Sequence, residues 1–381
     1  MSVWNQLVGQ PDVVDQLSQA AAAEQPTHAW LFTGPAGSGR STAALAFAAA
    51  LLCDQLNPTD RGCGHCKSCQ TVFSGSHADL THFSTENPNI KIEEARELVI
   101  KAQDRPAVGR WRIMIVEDAD RMPERTSNVL LKALEEPPPD TIWLLCAPSP
   151  VDVLITIRSR CRPVKLRVPQ RADVVNLLVS EGITENLALH CAALAQGHIE
   201  VARRLATLEE ARTRRETVVR MPISLRSLPA AMKAAEDLIT IADEEAEADA
   251  EARNEVEKAQ LMTTLGVQEG EKVTPSVRSQ LRQLEEDQKR RARRIKTDTL
   301  DRFLIDIQTV FRDVLTLQMR TGSELINTHL REELQRYAAN TTEVKTLERL
   351  DRVSLTRRRI ATNASAKLAF EAMMAGFVTG N

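Results

Sequence analysis

The segment Gly34-Pro35-Ala36-Gly37-Ser38-Gly39-Arg40-Ser41 constrains the fold of this chain more than any other. An apolar run, Ala29-Trp30-Leu31-Phe32-Thr33, precedes it, and an Ala-rich stretch from Ser41 to Cys53 follows. Strand, glycine turn and helix in that order are the context of the phosphate cradle G-x-x-x-x-G-K-[ST], whose backbone N–H groups converge on phosphate at a helix N-terminus. Every defined place fits except that Arg40 stands where lysine is usual. Gly34, Gly37 and Gly39 would let the backbone approach the ligand. The cation at Arg40 would meet the β- and γ-phosphates, and Ser41 would ligate magnesium. ATP with Mg2+ is therefore the cofactor expected at this loop. Its occupancy is left open, because a planar guanidinium is bulkier than an ammonium and can occlude the γ-phosphate. The competing reading is a glycine-rich turn with no ligand.

Two more apolar runs, Arg112 to Glu117 and Thr141 to Cys146, flank a helical pattern at Ser127 to Glu135. Strands alternating with helices predict a parallel α/β sheet covered on both faces. The run Ile113-Met114-Ile115-Val116 ends in Glu117 and Asp118, which places acids where a nucleotide-hydrolysing site would hold magnesium and orient water. A hydrolytic site ordinarily reads Asp then Glu. The reversed order shifts a carboxylate by about 1 Å, a displacement that can cost on the order of a hundredfold in rate. The competing reading is a strand end capped by solvated acids.

Seven cysteines in a chain that begins MSVWNQLVGQ, with neither a basic n-region nor an apolar h-region, point to a reducing, cytoplasmic setting and away from disulfides. Four of them, Cys53, Cys63, Cys66 and Cys69, fall as C-x9-C-x2-C-x2-C. That spacing suits a closed, structural four-thiolate zinc site, against free thiols or a redox pair. His65 and His77 lie close enough in sequence to be mistaken for ligands. Cys146, Cys161 and Cys191 are read as packing residues.

Helices take over after Pro169, which sets a boundary near 169. The expected division is an α/β domain over 1–168 with a zinc module at 53–69, a small helical lid over 169–207, and an all-α domain over 208–381. Within the last, 243–258 carries eight acidic and two basic residues, and 278–296 carries eight basic and three acidic. Folding back near residue 270 predicts a charged helical hairpin over about 235–298, against a solvated linker. The basic run Lys289-Arg290-Arg291-Ala292-Arg293-Arg294 could instead contact DNA. The net charge of -3 and the 3% aromatic content weaken a general nucleic-acid grip but leave room for a local basic patch. From Leu300 to Phe377 the apolar spacing is that of a helix bundle.

Ser159-Arg160-Cys161 follows the third run. Alone, Arg160 reads as a surface salt bridge; its functional reading is an arginine finger offered to a neighbour's γ-phosphate.

Together these residues resemble the clamp-loader branch of the AAA+ ATPases. The resemblance rests on the loop, on Asn128-Val129-Leu130-Leu131-Lys132-Ala133-Leu134-Glu135-Glu136-Pro137-Pro138, on His28 to Phe32, on the four cysteines and on Ser159-Arg160-Cys161. Leu7-Val8-Gly9-Gln10 with Val13, Val14 and Leu17 is similar to the family's N-terminal nucleotide-edge box. The resemblance spans about 1–207 and implies an AAA+ core, a lid and a helical oligomerisation collar. It also implies a five-subunit ring with gamma/tau and delta subunits that loads a sliding clamp onto primed DNA, with no membrane partner. Arg40, the Glu117-Asp118 order, and Val201 at the place of a sensing arginine depart from the family's motors, with Arg203 lying two residues on. Ala147-Pro148-Ser149-Pro150 likewise lacks the threonine pair of an active sensor. Such departures imply a non-motor subunit that lends Arg160 in trans; the alternative is an ATP-hydrolysing motor of gamma/tau type. The insert at 240–298 is not general to the family and comes nearest to actinobacterial versions.

Overall fold

The structure, a computed structural model, describes residues 2–85, 87, 89–264, 275–362 and 364–378. It divides into two compact units, Met1–Thr207 and Leu208–Asn381.

The first unit is a five-stranded, all-parallel sheet in the order β2-β3-β4-β1-β5. In chain order it runs α1 (Pro11–Ala22), β1 (Ala29–Thr33), α2 (Arg40–Leu51), α3 (Lys67–Phe73), β2 (Leu80–Phe83), α4 (Ile92–Ala102) and β3 (Arg112–Val116). It continues with α5 (Glu124–Glu135), β4 (Thr141–Ala147), α6 (Ile155–Arg158) and β5 (Arg162–Lys165), then α7 (Arg171–Ser180), α8 (Glu185–Ala195) and α9 (Ile199–Thr207). The three apolar runs become the central strands β1, β3 and β4. The edge strands β2 and β5 are additions that the sequence pattern does not announce. Pro163 falls within β5, where an edge position tolerates the missing donor.

Because successive strand residues point to opposite faces, the sheet builds two cores. Trp30, Phe32, Ile113, Ile115, Ile142 and Leu144 pack with α1 and α2 on one face. Ala29, Leu31, Met114, Val116, Trp143 and Leu145 pack with α4 and α5 on the other. Helix α2 is buried nearly all round, and its alanines let it lie close against the sheet. Trp30 stands edge-on to Phe47 of that helix, 4.9 Å between ring centres. This face fixes where the N-terminus of α2 emerges, at the carboxyl ends of the strands, which is where open parallel sheets bind ligands.

The second unit is helical: α10 (Glu209–Ser224), α11 (Leu228–Thr264), α12 (Pro275–Met319), α13 (Arg331–Ala339), α14 (Glu343–Ala361) and α15 (Ala366–Val378). Its core joins Leu238, Leu304, Ile307 and Phe311 to Val353, Phe370 and Phe377. Helices α11 and α12 run antiparallel and form the charged hairpin. Arg291 grips Glu257 with two bonds of 2.6 and 2.7 Å, Lys296 meets Asp243 at 2.5 Å, and Arg302 meets the buried Glu245 at 2.5 Å. In the basic run, Arg291 pairs across the hairpin and Arg294 with Asp298 on its own helix. The Arg290 side chain and the reversal expected near residue 270 lie outside the described residues.

Beside this hairpin, a buried polar network ties α10 to α12. The Arg215 Nε donates to Asp306 Oδ1 at 2.8 Å and its Nη2 donates to Asn327 Oδ1 at 2.9 Å. Asp313, fully buried, accepts from the backbone N–H groups of Ile326 and Asn327. Burial pushes the Asp306 carboxyl up, against the pull of Arg215 and Arg302. A raised carboxylate opposes folding at neutral pH, so the pair specifies geometry rather than adding net stability. Arg215→Met strands the acid and is expected to cost about 3–5 kcal/mol in urea unfolding, whereas Arg215→Met with Asp306→Leu recovers most of it. A double variant as unstable as the single one would contradict this account.

Candidate functional site

The loop between β1 and α2 adopts the backbone its glycines permit. Gly37 and Gly39 have φ of +83° and +82°, the left-handed region that disfavours other residues. A Cβ at Gly37 would meet His198 at 3.0–3.1 Å, so the turn before α9 packs directly over the loop. Gln10 braces the loop from the N-terminal side: its Nε2 donates to the carbonyls of Ser38, at 3.4 Å, and Arg167, while its Oε1 accepts from the Arg167 N–H at 3.3 Å. A cavity of about 500 Å³ opens here, lined by the loop with Arg40, Ser41 and Thr42, by Gln6 to Val8 and Gln10, and by His198 to Glu200 and Arg203.

Arg40 does not reach outward. Its guanidinium donates to the carbonyl of Gly34, inside its own loop. The hydroxyl of Ser41 donates to Glu117 Oε2 at 2.8 Å, and His82 Nε2 lies 3.1 Å from Glu117 Oε1. Burial would raise the Glu117 carboxyl, but the bonds from His82 and Ser41, helped by the charge of Arg40, hold it below its ordinary value. Asp118 has φ of +50° and pairs with Arg121 at 3.5 Å. The structure therefore brings Gly34, Gly37, Gly39, Arg40, Ser41 and Glu117 together, with Asp118 turned to its own helical turn.

Arg203, rather than Val201, is among the residues lining the cavity. It is held by Glu181, at 2.6 to 3.1 Å, and by Glu200 at 2.8 Å, and hydrogen bonding to Glu181 leads the causes that raise its pKa. His82 and His198 are contributors that sequence reasoning missed. The one sequence signal for His198 was its place beside Gly197, in the segment where a sensing arginine is expected.

The four cysteines converge. Cys53 follows α2, Cys63 and Cys66 lie on the turn before α3, and Cys69 is in the first turn of α3. Their sulfurs all lie within 4.8 Å of one another. A tetrahedral zinc–thiolate site, with bonds of about 2.3 Å, has sulfur–sulfur edges of about 3.8 Å. Cys53 to Cys63 is 3.7 Å and Cys53 to Cys66 is 3.8 Å. The N–H groups of Cys66 and Cys69 donate to the sulfurs of Cys63 and Cys66, each at 3.4 Å, and such donors favour thiolate. The cluster is thus compatible with zinc. His65 is exposed beside the Cys63 carbonyl, and His77 Nδ1 accepts from the Asp79 N–H, so neither joins it.

Arg160 sits on the turn after α6, is not among the residues lining the loop cavity, and is exposed. Its guanidinium donates to the Thr156 carbonyl at 2.7 Å and pairs with Glu135 at the end of α5. Cys161 beside it is buried, which pushes its thiol up to about 12.

A parallel sheet with a glycine loop leading from β1 into a helix, and an acid after β3, two strands from β1, reaching Ser41, is the α/β layout that the sequence resemblance implies. Residues 9–170 match the family model described as DNA polymerase III, delta subunit. Over this segment the chain is similar to DNA polymerase III subunits. It is 36% identical to DNA polymerase III subunit delta' of Pseudomonas aeruginosa over 45% of this chain and 55% of that protein. It is 30% identical to subunit tau/gamma of Haemophilus influenzae over 50% of this chain and 27% of that protein. It is also 30% identical to subunit tau of Bacillus subtilis over 49% of this chain and 34% of that protein. The chain spans from about a quarter to a little over half of these relatives. Among the described residues no helix is long and apolar enough to cross a membrane.

A carboxyl held low in the folded state stabilises the fold above its unfolded pKa, about 4.3 for Glu, and that contribution fades as pH falls through the folded value. Wild type is therefore expected to be more stable than Glu117→Gln at neutral pH, with the gap closing as acid is added below about pH 4.3. Denaturant melts of both chains across pH 3–7 would show it. A gap independent of pH would mean that Glu117 acts by packing alone.

Proposed function

We propose that this chain is a delta-prime-type, non-motor subunit of the DNA polymerase III clamp loader, and that it lends Arg160 to ATP bound on an adjacent motor subunit. One observation carries the reading: both polar groups of the loop are spent internally, Arg40 on the Gly34 carbonyl and Ser41 on Glu117. A motor needs that cation on the phosphates and that hydroxyl on magnesium. Arg160 is by contrast exposed and outside its own chain's cavity, so any γ-phosphate it meets belongs to another chain. In this reading residues 169–207 are the lid, the unit from Leu208 is the collar that joins a five-subunit ring with gamma/tau and delta, and the sliding clamp and primed DNA are met through that ring.

The open cavity at the loop favours a second reading, an ATP-hydrolysing gamma/tau-type motor. Bound nucleotide would be held by the backbone of Gly37 to Ser41 and faced by His198 and Arg203. Isolated chain that hydrolyses ATP, and loses this with Arg40→Ala, would establish the motor reading. For the finger, Arg160→Ala is expected to lower ATP turnover of the reassembled loader by about 10³-fold or more, with an unchanged melting temperature of the isolated chain. Undiminished turnover removes the finger.

Cys53, Cys63, Cys66 and Cys69 are proposed to hold one structural zinc that pins the insertion after α2 to the sheet. Elemental analysis of the purified chain should find one zinc, and Cys69→Ser should lose it together with several degrees of melting temperature. Full zinc retention in that variant would exclude the four-cysteine set.

A further inference from the structure

The helical unit carries a cavity of about 630 Å³ between α10, α13 and α14 that the clamp-loader reading does not use. Its charged lining is Arg220, Arg226, Arg336, Lys345 and Arg349 against a single acid, Glu333. Five cations around one concavity stand out in a chain whose overall charge is -3. Arg220 accounts for the acid, lying 3.4 Å from Glu333 and 2.8 Å from Glu216. Arg226 donates through Nη1 to the carbonyls of Ile223 and Leu225, and Arg336 through Nε to that of Glu332, bonds that neutralise neither charge and leave the rest of each fork to the cavity. Arg349 is built in: it is 3% exposed, donates to the Thr341 hydroxyl at 2.9 Å and lies over the Tyr337 ring at 5.3 Å. A buried guanidinium at the floor and three cations at the rim focus positive potential into the cavity.

Thr341 adds a hydroxyl to the same wall, and the Asn340 amide braces it by donating to the Arg336 carbonyl at 2.8 Å. Guanidinium forks with a hydroxyl are a set that binds phosphate oxygens, which present more charge and more acceptors in a small volume than a carboxylate does. We propose that this cavity binds phosphate groups, those of a single nucleic-acid strand or of a free nucleotide. The site is separate from the glycine loop and does not depend on whether that loop holds a nucleotide.

The test uses the full chain and the variant Arg226→Ser/Arg336→Ser/Lys345→Ser, three rim residues whose retained fold circular dichroism would confirm. A fluorescein-labelled oligothymidylate should bind with steep salt dependence. The triple variant should weaken binding at least about tenfold and flatten the log–log salt slope by about 2, at about 0.7 for each phosphate no longer neutralised. Binding of ADP that the triple variant also loses would support the site with a free nucleotide as the source. Oligothymidylate binding that ADP does not compete would support a strand. Polyglutamate binding as tight as the oligonucleotide would overturn the phosphate assignment. An unaffected triple variant would overturn the location, and so would an equal loss in Arg293→Ser/Arg294→Ser on the hairpin.

Discussion

Burial of the sheet on both faces is the constraint from which the rest of the first unit follows. The central strands are apolar on both sides, and the helices that connect parallel strands cross over to cover them. Parallel strands bring all five carboxyl ends to one edge, and the helix N-termini that follow the strands open there too. The glycine loop after β1, Glu117 after β3 and Leu166 after β5 are neighbours for that reason alone. The alanines of α2 serve the same constraint, since bulkier side chains would lift the helix off the sheet and move Arg40 and Ser41 with it.

The central part of this arrangement was legible in the sequence because burial on both faces leaves an uninterrupted apolar run. Ala29–Thr33, Ile113–Val116 and Ile142–Ala147 carry no charge, and each became a central strand. Edge strands are wet on one side and lose that signal. Leu80-Thr81-His82-Phe83 has only one fully buried member, and Arg162-Pro163-Val164-Lys165 contains a proline and two charges, so neither run announced a strand. The same blindness hid His82, which reaches Glu117 only because β2 pairs beside β3. His198 was missed for another reason, and Arg203 was placed only as lying two residues past the position of a sensing arginine. They reach the loop through the packing of α9, a long-range relation that no local pattern encodes. The convergence of the cysteines, by contrast, was legible because four thiols within seventeen residues leave few other arrangements.

Charge tells a similar story in the second unit. The near-neutral total conceals two opposed helical faces, and the structure shows their attraction satisfied along α11 and α12 by Arg291, Lys296 and Arg302. Such pairs contribute little each when solvated, but Glu245 is buried, and there the partner is obligatory. A second group of cations lines the cavity between α10, α13 and α14, which charge runs along the sequence could not reveal because its members are spread from Arg220 to Arg349.

Three arginines show how environment divides one side chain among roles. Arg40 is half-buried and bonded to a carbonyl of its own loop, so releasing it leaves a buried acceptor unsatisfied. Arg215 is enclosed and locked to Asp306. Arg160 pairs with Glu135 at the surface, with side chains 37% and 46% exposed, where such a bridge contributes at most about 1 kcal/mol. A group that must exchange its partner for a γ-phosphate can hold only a weak contact beforehand. Of the three, Arg160 alone is held at the surface, by Glu135 and the Thr156 carbonyl, which is what the proposed lending role asks of it.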